Sequence, residues 1–180
     1  MTSRLVALLR GINVGRNKRV AMADLRELLR ELGYTDVQTI LQSGNAVFSC
    51  RSGLVSSAAS TIERAIADDL AVQCSVIVRT AAEIEATIAA DPFGAVATDG
   101  SRYLIGFLSA DAVPAAAGFI GAIDVPPDRI ILVGREVHLW CPTGVLDSPL
   151  AGLGWEKALG VPVTVRNQNT VGRIAGVMRD

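Results

Sequence analysis

Short apolar runs alternate along the chain with longer stretches in which apolar residues recur every three or four positions. The run "LVALL" at 5–9 predicts a buried strand over 4–10. Met22, Leu25, Leu28, Leu29 and Leu32 then fall on one helical face, and Gly33 stops the pattern. The opposite positions, Asp24, Arg26, Glu27, Arg30 and Glu31, form a solvated face. In "VQTILQSGNAVFSC" two strand-like runs flank Ser43-Gly44-Asn45, which predicts a hairpin whose glycine supplies a positive φ. Ala58, Ile62, Ile66 and Leu70 mark a second helix over 54–71. "QCSVIVRT" reads as another strand. Thr80 and Glu83 have capping-box spacing for a third helix, with Ile84 and Ile88 inward and Asp91-Pro92 at its end.

The second half follows the same order. "RYLIGFLS" is a strand, and Pro114 opens an alanine-rich helix to about Gly121. "RIILVGREVHLWC" is a hairpin turning at Val133-Gly134-Arg135. Asp147-Ser148-Pro149 caps a helix that is expected to reach Gly160. "VPVTVR" is a last strand, and "NQNTVGRIAGVM" a last helix with Val171, Ile174 and Met178 inward. The pattern βαββαβ thus occurs twice, with no residue-level identity visible between the halves. The expected class is α+β: two ferredoxin-like βαββαβ subdomains in tandem, packed together, with an extra C-terminal helix. Residues 1–90 would form the first, 91–101 a connecting loop, and 102–180 the second with its added helix.

A chain of 180 residues, half of them hydrophobic, has ample core material; at this size folding buries roughly 70% of the chain's surface. The net charge of −1 argues against a protein that coats nucleic acid. Cys50, Cys74 and Cys141 are odd in number and lack zinc spacing. They read as buried free thiols of a reducing cytoplasm. The N-terminal apolar run is too short for a signal peptide, and no run is long enough for a membrane span. Neither a metal nor a cofactor is implied, and the pattern leaves the oligomeric state open.

Most catalytic signatures are missing. His138 is the one histidine and lies within a strand run, where a surface or a satisfied structural position is the usual one. Asp68 and Asp69 diverge around a helix. "GLGWEK" at 152–157 falls inside a predicted helix. The best candidate for chemistry is "RGINVGRNK", which leaves a strand and leads toward a helix. Arg10, Gly11, Asn13, Gly15 and Lys18 could form an anion nest flanked by cations. The spacing is not that of a Walker loop, and the plain alternative is a tight turn in which Asn13 tolerates a left-handed backbone. Two further segments share this chemistry: Gln42, Ser43, Gly44 and Asn45 at the hairpin tip, and Arg166, Asn167, Asn169 and Thr170 before the last helix. Each has a plain reading as turn or cap. If the three meet, they would suit a phosphate-bearing small molecule or nucleotide. No general base stands among them, so binding is a stronger inference than catalysis.

"ALLRGINVG", "LRELLRELGYTDVQTILQSGNAVF" and the terminal "RNQNT" closely resemble the recurring segments of a bacterial family of unknown function, DUF1697. The resemblance runs almost end to end and implies a doubled α+β arrangement, with no activity attached. The family's recurring polar positions correspond to the three segments just named. Two departures stand out: Arg16 replaces a frequent glycine, and Gln168 a frequent aromatic. Competing readings are an RNA-binding module, for which Phe48 is the one aromatic in a suitable central strand, and a protein-interaction or oligomerising domain without a ligand.

Overall fold

The first apolar run forms β1 (Thr2–Leu9), which pairs antiparallel with β3 (Asn45–Arg51) on one side and β4 (Val76–Thr80) on the other. β2 (Thr35–Ile40) completes a four-stranded sheet in the order β2-β3-β1-β4. A computed structural model of the chain describes residues 1–13 and 18–179. The chain divides into two compact units, Met1–Glu85 with Arg173–Asp180, and Ala86–Gly172.

Two-residue periodicity sends Leu5, Ala7 and Leu9 of β1, with Ala46, Phe48 and Cys50 of β3, to one side of the first sheet. There they meet Leu25, Leu28 and Leu29 of α1 (Met22–Glu31) and Ile62 and Ile66 of α2 (Ala58–Leu70) in one core. Each fully buried leucine or isoleucine stabilises by roughly 1.5–3 kcal/mol. The start expected for the second helix differs: Ser52–Ser57 is a 3-10 turn, and the α-helix begins at Ala58. The capping box is formed. The Glu83 carboxylate accepts from Thr80 N–H at 2.8 Å, and Glu83 N–H donates to Thr80 Oγ1 at 3.2 Å, opening α3 (Ala81–Ala90).

In the second unit β5 (Tyr103–Leu108), β6 (Arg129–Val133), β7 (Glu136–Trp140) and β8 (Val163–Asn167) form an antiparallel sheet in the order β6-β7-β5-β8. α4 (Pro114–Gly121) contributes Ala116 and Ile120 to its core, beside Val137, Leu139, Trp155 and Leu159. The helix expected from Pro149 to Gly160 is interrupted. Ser148 caps a 3-10 turn over Pro149–Gly152, Gly154 adopts φ 67°, and α5 is confined to Trp155–Ala158. The left-handed backbone at Gly154 breaks the helical path. "GLGWEK" is therefore a helix start, not a helix interior. α6 (Gln168–Arg179) follows β8 directly, and Asn167 Oδ1 caps it by accepting from Thr170 N–H at 2.9 Å.

The strand registers correct the reading of a repeat in pattern alone. Leu9 pairs with Val76, and Leu108 with Val163. Aligned on that register, "VIVRT" at 76–80 matches "VTVRN" at 163–167 in both valines and the arginine. Arg79 and Arg166 are both buried, and each donates from Nη1 to the carbonyl of the preceding valine, at 3.1 and 2.8 Å.

Candidate functional site

The loop after β1 is built by Asn13. Its φ is 55°, a conformation that asparagine tolerates better than most residues. Its side-chain amide donates to Val20 O at 2.9 Å and to Gln42 O at 2.8 Å, and its carbonyl accepts from Val20 N–H at 2.9 Å. Asn13 N–H donates to Lys18 O at 3.0 Å, so the loop closes on itself. The same bonds bring two of the three polar segments together, since Gln42 belongs to the hairpin tip. Gly44 completes the join. The end of β1 and the loop after it approach so closely that a Cβ at Gly44 would lie 2.6 Å from Ile12 Cδ1 and 2.9 Å from Leu9 Cβ, and its φ is +81°.

This closure leaves Arg10, Gly11 and Lys18 at the mouth of a cleft of about 720 Å³. Its far wall is the face of α2 carrying Ser60, Glu63, Arg64 and Ala67, and its floor is Gln73, Cys74 and Ser75 ahead of β4. Arg10 N–H donates to Ser75 O at 2.9 Å, and the Glu63 carboxylate accepts from Val76 N–H at 2.7 Å. These bonds fix strand and helix around the opening. Arg10, Lys18 and Arg64 against Glu63 leave a net positive lining among the described residues. Burial, with Glu63 beside it, holds the Cys74 thiol above its usual range, and Lys18 works in the opposite sense. Cys74 is half-buried, unlike Cys50 and Cys141, which are buried as expected.

Reading the sequence missed the α2 wall and the Gln73–Ser75 floor. A signal was present: Ser60, Glu63, Arg64 and Ala67 are spaced i, i+3, i+4, i+7, a small and polar stripe beside the apolar one. Of the expected residues, Arg10, Gly11 and Lys18 line the cleft. Gly15 lies outside the described residues, as does Arg16. Gln42 and Ser43 are exposed at the hairpin tip, while Asn45 is buried and its amide donates to Ile40 O and Ser43 Oγ.

The third segment belongs to the second unit. The buried Arg166 guanidinium donates to Thr164 Oγ1 at 2.9 Å, and burial lowers its pKa to about 10, so it stays charged near neutrality. Asn167 and Thr170 form the α6 cap described above, and Thr170 Oγ1 also donates to Asn167 Oδ1 at 2.8 Å. Asn169 N–H donates to Gly100 O, and its side chain lies against Gly100.

His138 is also accounted for. It is 1% exposed, with Nδ1 2.8 Å from Tyr103 Oη. The Tyr103 hydroxyl is bonded to Asp91, whose charge adds to burial in raising the phenol's pKa. With that proton given to Asp91, the phenol oxygen accepts from His138 Nδ1–H. Nε2 is then a bare acceptor, and it has no partner among the described residues. Burial lowers the imidazole's pKa to about 4, against the pull of Asp91. Phe48 is fully buried against Tyr34, with ring centroids 4.5 Å apart, and offers no stacking surface to a nucleic-acid base.

Fold and cleft together define a mixed α+β protein of two four-stranded antiparallel units, one of which carries a cationic cleft. The chain belongs to the family described as "Protein of unknown function (DUF1697)", whose model matches residues 1–138. The match ends before the Arg166–Thr170 segment. A solved structure, that of the conserved bacterial protein SP0830 from Streptococcus pneumoniae, is similar over 99% of both chains, with a TM-score of 0.74 and 22% identity. That likeness concerns the fold alone. Comparison with curated proteins returned no match. No helix among the described residues is long and apolar enough to cross a membrane.

Proposed function

We propose that the protein binds a phosphate-bearing small molecule in the cleft of its first unit, in the cytoplasm. The observation that carries this reading is the convergence of Arg10, Lys18 and Arg64 around a cleft of about 720 Å³. Ligand pockets commonly enclose about 300–1,000 Å³, and a cationic cleft concentrates anions. Arginine and lysine complement phosphate by charge-assisted hydrogen bonds. The reading places Arg10, Gly11 and Lys18 at the ligand and gives Asn13, Gln42, Ser43 and Asn45 the task of holding the loop. Arg166, Asn167, Asn169 and Thr170 are left with the packing and capping described above.

The strand order and the two helices linking the strands support a finer reading of each half of the chain as a ferredoxin-like βαββαβ module followed by one helix. Residues 1–90 and 102–180 are then duplicated modules joined by 91–101.

Thermal unfolding against a panel of inorganic phosphate, sugar phosphates and nucleotides, at constant ionic strength, tests the binding. A ligand at 100 times its Kd adds about 2.7 kcal/mol, which for a chain of this size raises Tm by roughly 5–10 °C. The Arg10→Ala, Lys18→Ala double variant is expected to lose that shift while melting normally alone. A flat panel with the native protein, or an undiminished shift in the variant, would overturn the reading.

A further inference from the structure

The cleft lining also distinguishes among phosphate-bearing ligands. We infer that the cleft of the first unit takes a phosphorylated polyhydroxy compound, such as a sugar phosphate, rather than a nucleotide. This deepens the proposed function and rests on it.

Small and polar side chains line most of the cleft. Beyond its three cations, the described lining consists of glycine, alanine, two serines, a glutamine, a glutamate and a thiol. It contains no aromatic and no branched apolar side chain. Recognition of a nucleobase draws on aromatic or broad apolar surface to cover the ring; among the described lining residues Ala67 and Cys74 are the only apolar contributions. Hydroxyl-rich ligands need the opposite, donors and acceptors set around a polar space. Ser60 and Ser75 bring hydroxyls, Gln73 an amide, and Glu63 a carboxylate. One Glu63 oxygen is held by Val76 N–H, which fixes the group and leaves its second oxygen as an acceptor. Besides holding Val76 N–H, the carboxylate thus offers an acceptor to a ligand hydroxyl, which offsets its repulsion of the phosphate.

The charges agree. Among the described residues three cations face one carboxylate, a positive lining that suits a phosphate monoester. The space exceeds what a phosphate ion fills, so an organic portion belongs to the ligand.

Isothermal calorimetry with the full chain separates the cases, using inorganic phosphate, ribose 5-phosphate and adenosine 5′-monophosphate. Ribose 5-phosphate is expected to bind about tenfold or more tighter than either other probe, the gain expected from one or two added hydrogen bonds. In Glu63→Gln, which keeps an acceptor for Val76 N–H, that preference is expected to shrink severalfold while affinity for inorganic phosphate rises. If the nucleotide binds tightest, or all three bind alike, this inference falls and the phosphate reading stands. If none binds, both fall. A Glu63→Gln protein that folds with its preference unchanged would also overturn the role of the carboxylate.

Discussion

At the end of β1, Leu9 N–H donates to Gly44 O at 2.8 Å, and Arg10 N–H to Ser75 O at 2.9 Å. At the end of β5 the same frame recurs: Leu108 N–H donates to Arg135 O and Ser109 N–H to Pro162 O, both at 2.9 Å. The side chains on that frame differ. Where the first unit has Arg10, Gly11 and the floor Gln73-Cys74-Ser75, the second has Ser109, Ala110 and Gly160-Val161-Pro162. The loop that follows spans 10–21 in the first unit and only 109–113 in the second. Val113 N–H donates to Leu159 O, and its side chain occupies the space beside Gly160, where a Cβ would lie 2.5 Å from Val113 Cγ1. One frame thus carries a charged, open cleft in one unit and a short loop closed down by valine in the other. The second unit keeps its polar chemistry inside, in Asp91, Tyr103 and His138. Shared strand geometry does not make a site; the loop grafted onto it does.

The largest test of this contrast is acid. The unfolded chain takes up a proton at His138 near the ordinary value of 6.5, and the folded chain only near 4. Stability from the buried neutral ring is therefore complete above pH 6.5 and is lost as pH falls toward 4. The loss is expected to approach about 3 kcal/mol, and His138→Leu should flatten it. Urea unfolding of both proteins at pH 7 and 4.5 checks this; parallel losses would show that His138 is not the group responsible.

A smaller effect is expected at the cleft loop. Asn13→Gly keeps a left-handed backbone and removes three side-chain hydrogen bonds. Destabilisation of about 2 kcal/mol, with weakened phosphate binding, is expected by denaturant titration and calorimetry. Unchanged stability would mean that the loop holds its shape without the Asn13 clamp.

The smallest effect sharpens the comparison most. Ser109→Arg gives the second unit a cation at the position of Arg10. With Val113 in place it should change stability by less than about 0.5 kcal/mol. It should also restore no phosphate binding to the Arg10→Ala, Lys18→Ala protein. Recovered binding would show that charge alone, without the longer loop, makes the site.

The periodic leucines of α1, the Thr80–Glu83 box and the glycine turns at 44 and 134 were all legible in the sequence, because each depends on residues within a few positions of one another. The interruption at Gly154 was not: cap and periodicity signals on either side suggested one helix, and the glycine adopts the left-handed backbone that separates them. The kinship of Arg79 and Arg166 was hidden for another reason. Three identities in five residues mean little until strand register says which positions correspond. Within the candidate site, Arg10, Gly11 and Lys18 could be suspected from local glycine-and-cation chemistry.

By itself, then, the sequence determined the elements, their doubled order and the loop most suited to an anion, all products of short-range periodicity and turn chemistry. Only the tertiary structure decided that Asn13 and Asn45 serve the backbone and that α2 supplies Glu63 and Arg64 to the loop's cations. It also decided that the corresponding place in the second unit is closed. These outcomes depend on contacts between residues tens of positions apart, whose meeting is fixed by sheet order and packing rather than by any local pattern.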